Sequence, residues 1–172
     1  MNNLQDKIIE KINRNANEKR DLSSIYADRE LLNRILEEIT ASYAGQVDYV
    51  ASPESLGFIL GSMTAAKLGV GFIPIRNRDL YGLDPTDSIS APYIDHRDEP
   101  RALQIRTGMI PKNSRVLLVD DWVETAATIH ACAAITEDSE ARVAGIASIG
   151  ATRNGKTDHL LQSGQLKCAL VL

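Results

Sequence analysis

The chain has 172 residues, a formal net charge of −4, and 44% hydrophobic and 24% charged residues. That is the size and balance of one ordinary globular domain with enough apolar content for a core. It argues against broad nucleic-acid or anionic-membrane binding, and no apolar run approaches the roughly 20 residues of a membrane span.

In chain order, Leu4, Ile8, Ile9 and Ile12 recur at helical spacing and predict an amphipathic helix over residues 1 to about 20. This N-terminus lacks a signal-peptide apolar core. Cys132 and Cys168 have no metal-ligand spacing, so both read as reduced thiols in a cytoplasm. Asp28 stands as N-cap before a second helix, in which Leu31, Leu32, Ile35, Leu36 and Ile39 form the apolar stripe, and Gly45 ends it. Residues 1–45 thus form a small N-terminal helical hood.

A strand at Val47–Ala51, a turn at "SPES" and a helix closed by Gly69 follow, then a strand at Val70–Arg76. "RVLLVDD" (Arg115–Asp121) is the next strand, "TAATIHACAAITE" its helix, Arg142–Gly150 another strand, and "KCALVL" a candidate last one. Alternating helices and strands apolar on both faces predict an α/β fold, a mostly parallel central sheet flanked by helices, as a single domain over 1–172. One segment breaks the rhythm. "NRDLYGLDPTDSISAPYIDHRDEP" (Asn77–Pro100) is rich in proline and charge. Such a stretch is either a functional flap or an excursion of strands on the domain edge, and a flap can itself contain a hairpin.

The chemistry gathers at "RVLLVDDWVETAAT". In open α/β sheets ligands bind past the carboxyl ends of strands. Asp120 and Asp121 there can accept hydrogen bonds from two ribose hydroxyls or help hold a magnesium ion. Glu124, Thr125, Ala126, Ala127 and Thr128 open the next helix, whose amides and dipole favour a phosphate. The competing readings are an aspartate or threonine that merely caps the helix, and the magnesium site of another phosphate-handling enzyme.

"VLLVDDWVETAAT" resembles the 5-phosphoribosyl-1-pyrophosphate (PRPP) motif of type I phosphoribosyltransferases. "VDYVASPESLGFILGSMTAAKLGVGFIPIRN" looks like the strand, pyrophosphate loop, Gly-Phe helix and strand of the adenine phosphoribosyltransferases. "RDLSSIYADRELLNRIL" is similar to their Asp-Ile-Thr segment, and "SISAPY" with "ALQIRTGMIPKNSRVLLVDD" to their flexible loop and return strand. The resemblance spans roughly residues 20 to 150. It implies transfer of phosphoribose from PRPP to a purine-like base, adenine by default, with pyrophosphate released and Mg2+ as cofactor. It also implies a homodimer. Asp120 and Asp121 would hold the ribose hydroxyls and, indirectly, the metal. Thr125 to Thr128 would hold the 5-phosphate, and the flexible 77–100 segment would close over the site.

The departures fall at functional positions. The turn carries Ala126 and Ala127 in place of glycines. At positive φ an alanine costs roughly 1–2 kcal/mol; in helical space it costs nothing. The pyrophosphate side falls to Ser55, Leu56, Arg76 and Arg78. Apolar Leu56 replaces an arginine there, and Asn77 replaces a lysine. Flap candidates for the catalytic group are Asp95, His96 and Glu99. The base pocket retains Arg20, has Lys19 in place of an aromatic residue, and adds Trp122. Glu124 would repel a phosphate unless it points away or binds magnesium. Phe58 and Cys132 read as core residues, and His130 and His159 as helix and surface residues. Two further readings stand beside the transferase: a non-catalytic regulatory protein that binds PRPP or a nucleotide, and a hydrolase of nucleoside phosphates.

Overall fold

The computed structural model describes residues 4–14, 20–95 and 98–172. The N-terminal stripe becomes helix α1 (Leu4–Lys11), which buries Ile8. It is shorter than the periodicity predicts. Beyond Ile12 no large apolar residue continues the stripe, and β1 (Asn13–Arg14) pairs antiparallel with β2 (Arg20–Asp21) instead. A short helix α2 (Ser23–Tyr26) precedes α3 (Arg29–Thr40). Asp28 caps α3 as its sequence predicts, accepting a hydrogen bond from the amide of Leu31 at 3.1 Å. The stripe from Leu31 to Ile39 is buried.

The main sheet has seven strands. Those that alternate with helices are β3 (Tyr49–Pro53), β4 (Gly71–Asn77), β7 (Arg115–Val123), β8 (Arg142–Ala151) and β9 (Leu166–Val171). They run parallel, joined through α4 (Gly57–Leu68), α5 (Ala127–Asp138) and α6 (Asp158–Gln162). "KCALVL" is therefore a strand.

The segment from Asn77 to Pro100 takes the edge-strand form. A 3-10 turn (Pro85–Asp87) leads into β5 (Ser88–Ile94), which pairs antiparallel with β6 (Pro100–Arg106) from Ser88↔Arg106 to Ile94↔Pro100. β6 extends the sheet by antiparallel pairing with β4 at Arg76↔Gln104. The order is β5-β6-β4-β3-β7-β8-β9.

Each face of the sheet carries a core. On one, α1, α3 and α4 bury Ile8, Ile35, Ile39 and Leu60 against Val50, Leu117 and Val119. On the other, α5 and α6 bury Ile129, Cys132, Ile135 and Leu160 against Ile73, Val116 and Leu118. Each fully buried Leu or Ile contributes about 1.5–3 kcal/mol. No helix among the described residues is long and apolar enough to cross a membrane.

Candidate active site

The strand order reverses direction between β3 and β7. From β3 the chain builds outward through β4, then returns to place β7 on the other side. The two strands pair only from Tyr49↔Val116 to Ala51↔Leu118 and then part. Such a switch point opens a crevice at the carboxyl ends of the strands. Asp120 and Asp121 lie where the strands have parted. They remain within β7, which runs two residues further than its apolar pattern suggests because β8 still pairs with it to Val123↔Ala151.

Both carboxylates are half-buried. Desolvation raises the pKa of each, and the charge of Asp121 raises that of Asp120 further. The amide of Asp121 donates to Asp120 Oδ1 at 2.9 Å. The start of α4 closes on the same oxygen: a Cβ at Gly57 would stand 3.0 Å from it and 3.2 Å from the Pro53 ring. The loop between β3 and α4 is thereby brought against the aspartate pair.

The turn after β7 divides its two alanines. Ala126 is left-handed, at φ 60° and ψ 0°, while Ala127 is the first helical residue of α5. Only Ala126 bears the conformational cost. The amide of Ala127 points toward Thr125 Oγ1 at 3.4 Å. The turn is tied from behind by Asn154, whose side-chain amide donates to the carbonyls of Glu124 (2.8 Å) and Thr152 (3.2 Å).

Glu124 is turned to Arg20, which it meets at 2.5 Å. Its charge is therefore matched by a cation. The guanidinium of Arg20 also lies 4.3 Å from the ring centroid of Trp122. Trp122 donates from Nε1 to Thr152 Oγ1 at 3.0 Å and rests on Gly150, where a Cβ would meet its ring at 2.3 Å. The ring thus packs beneath Arg20, and its Arg20-facing side is already covered.

In the loop read from the sequence as the pyrophosphate side, Ser55 and Leu56 are exposed at the entry to α4, and the Glu54–Ser55 peptide is cis. Arg76 is held internally. Its Nε lies 3.6 Å from Glu54, and its guanidinium stacks 4.4 Å from Tyr81 and 5.7 Å from Phe58. Glu54 also accepts from the amide of Asn77 at 3.0 Å. Arg78 is exposed, without an ion pair among the described residues. Phe58 is half-buried and meets Phe72 edge-on at 5.8 Å.

Of the flap candidates, His96 lies outside the described residues, as does Lys19 of the base-pocket segment. Asp95 and Glu99 flank the tip of the β5–β6 hairpin and share Arg101, at 3.5 Å and 2.5 Å. Asp95 lines a cleft of about 570 Å³ together with Thr125 and Ala127; Glu99 does not.

Three features escape a linear reading. Tyr26 has a buried hydroxyl with no hydrogen-bond partner among the described residues, and its pKa is raised by desolvation and by the charges of Asp121 and Asp120. His130 and His159 stack, with ring centroids 5.8 Å apart and planes 4° from parallel. Lys156 lines the same cleft as this pair. No periodicity joins residues on separate elements, so none of these pairings has a sequence signal.

The model of the phosphoribosyl transferase domain matches residues 21–160 of this chain. The chain belongs to the phosphoribosyltransferase family. It is therefore an enzyme of the glycosyltransferase type. The adenine phosphoribosyltransferase of Natranaerobius thermophilus is 37% identical over 74% of this phosphoribosyltransferase and 73% of its own length. That of Clostridium perfringens is 35% identical over 84% and 83%. The crystal structure of the Thermoanaerobacter pseudethanolicus adenine phosphoribosyltransferase superposes with a TM-score of 0.84. At 24% identity, covering 98% of this chain and 99% of that one, it shows the shared fold.

Proposed function

We propose that this phosphoribosyltransferase moves the phosphoribosyl group of PRPP to adenine and releases pyrophosphate. The observation that carries the reading is the half-buried Asp120–Asp121 pair at the parting of β3 and β7, followed directly by a hydroxyl-flanked turn into α5. The name shared by its relatives supports adenine as the acceptor.

Asp120 and Asp121 accept hydrogen bonds from the two ribose hydroxyls and fix the ring. The 5-phosphate sits on the turn, against the hydroxyls of Thr125 and Thr128 and the amides of Ala126 and Ala127. A base nitrogen then attacks C1 as the C1–O bond to pyrophosphate breaks, through an oxocarbenium-like transition state. The proton of the attacking nitrogen passes to a carboxylate of the hairpin tip; among the candidates there, Asp95 shares the cleft with Thr125. Arg20 shapes the base pocket from above Trp122. Ser55, Leu56, Arg76 and Arg78 border the pyrophosphate, with Arg78 the cation best placed to turn toward it.

The donor set fits magnesium. Two adjacent carboxylates whose ionised forms are disfavoured by burial gain from a cation. Magnesium commonly takes one or two carboxylates and completes its shell with substrate oxygens and water. Asp120 and Asp121 would hold it indirectly, and with PRPP bound it would neutralise charge on the leaving pyrophosphate.

The protein works in the cytoplasm, in keeping with its unpaired Cys132 and Cys168. It works as a homodimer joined near the pyrophosphate loop, where Leu56, Ile59, Leu80 and Tyr81 are exposed.

Calorimetric titration with PRPP, with and without magnesium, tests the reading together with pyrophosphate release on adding adenine, guanine or hypoxanthine. Magnesium-dependent saturation and release with adenine are expected. Saturation without release for any base identifies a regulatory binder instead. No binding at millimolar PRPP overturns the assignment of the turn and the aspartates.

A further inference from the structure

The 5-phosphate turn opens on one side into more space than a phosphate fills. The cleft of about 570 Å³ that includes Thr125 and Ala127 is within the range of small-molecule sites. Its lining includes one lysine and two imidazoles. Lys156, on the loop between β8 and α6, makes no ion pair among the described residues. His130 stands three residues beyond Ala127, on the same face of α5, and stacks on His159 of α6. Neither imidazole has a hydrogen-bond partner among the described residues. Across the cleft stand Asp95, engaged by Arg101, and Asp98.

The turn itself brings no cation, since Glu124 is the charged residue beside it and Arg20 is committed to Glu124 and Trp122. Lys156 and the two imidazoles line the cleft beside the turn. A cleft of this volume has room for more than a single phosphate.

We propose that this cleft is a distal-phosphate subsite for a nucleoside 5′-diphosphate. Its α-phosphate occupies the turn, its β-phosphate lies among Lys156, His130 and His159, and the nucleotide competes with PRPP without reacting. The inference rests on the reading of the Thr125–Thr128 turn as the 5-phosphate site. It makes the enzyme responsive to the phosphorylation state of the adenine nucleotide pool, beyond inhibition by its own monophosphate product.

The test compares AMP and ADP in magnesium-free calorimetric titrations of the full chain, and then as competitors of PRPP in the transferase assay. ADP is expected to bind about tenfold more tightly than AMP, the gain of charge-assisted contacts to one further phosphate. In the Lys156→Ala/His159→Asn double variant, checked for native melting, that ratio should fall to about one. Equal affinities in the unaltered protein overturn the subsite. So does a ratio that survives the double substitution, or a loss of AMP and ADP binding in equal measure, which would assign these side chains to the 5-phosphate itself. Failure of AMP to bind at all overturns the reading of the turn, and this proposal with it.

Discussion

Ala126 is 3% exposed in a left-handed position, so packing and backbone oppose one another at a single residue. Ala126→Gly removes the steric cost of positive φ, about 1–2 kcal/mol, but adds about 0.5–1 kcal/mol of unfolded-chain entropy and loses a buried methyl worth about 0.8 kcal/mol. The opposing effects nearly cancel, so a thermal melt should show a Tm within about 3 °C of the unaltered protein. Asp120 gives the opposite kind of test. Its raised pKa means that the folded protein binds a proton there more tightly than the unfolded chain does. The ionised carboxylate therefore weakens the fold, and increasingly so as pH rises from the ordinary carboxylate range through the folded pKa. Asp120→Asn should abolish turnover while raising stability, and urea melts at pH 5 and pH 8 should show the larger gain at pH 8. Retained turnover would remove Asp120 from the ribose site. A merely structural aspartate would lose stability on the same substitution.

The starts of β3 and β7 are tied by Asp48, which accepts from the amide of Arg115 at 2.7 Å and from its guanidinium at 2.7 Å and 3.1 Å. Arg115 holds the Asp48 carboxyl down at about 2. The sign follows from that depression: the contact stabilises above the unfolded carboxylate pKa and is lost as pH falls from about 4 through 2. Asp48→Asn should flatten the pH dependence of stability over that interval, measured by circular dichroism in fixed urea, and leave it unchanged above pH 5. The hood is tied to the sheet in a similar way. Arg20 on β2 meets Glu124 beside the phosphate turn, 104 residues away. This contact pairs the Glu124 carboxylate with a cation, which a linear reading could state only as a condition.

The face around the pyrophosphate loop exposes Leu80 at 75%, Leu56 at 48% and Tyr81 at 47%. These exposed apolar side chains are the ones the proposed homodimer would cover. Sedimentation velocity should find a dimer, and Leu80→Asp should shift it toward monomer without lowering the Tm of the isolated chain by more than a few degrees. A monomeric unaltered protein would dismiss this face as the subunit contact. Much of the architecture was legible beforehand because it is written in local period and punctuation. The stripe from Leu31 to Ile39, the cap at Asp28, the stop at Gly69 and the apolar runs of β3, β4, β7 and β8 each carry their own signal. The N-terminal helix is shorter than its periodicity predicts because Ile12 ends the apolar stripe and the polar residues beyond it carry no stop signal. The β5–β6 hairpin stayed one of two alternatives because proline and charge mark flaps and edge strands alike.

By itself, the sequence determined the alternation of strands and helices, the place of the Asp120–Asp121 pair near a strand end, and the hydroxyls flanking the turn after it. These depend on neighbours within a few residues, where periodicity, capping and turn chemistry act. Only the tertiary structure decided which alanine of the turn takes positive φ, that Glu124 faces Arg20, that Arg76 is held by Glu54 and Tyr81, and that His130 and His159 meet beside Lys156. Each is a meeting of separate elements or the outcome of closing them around one sheet. Such contacts are set by strand order and packing, which no local pattern in the chain encodes.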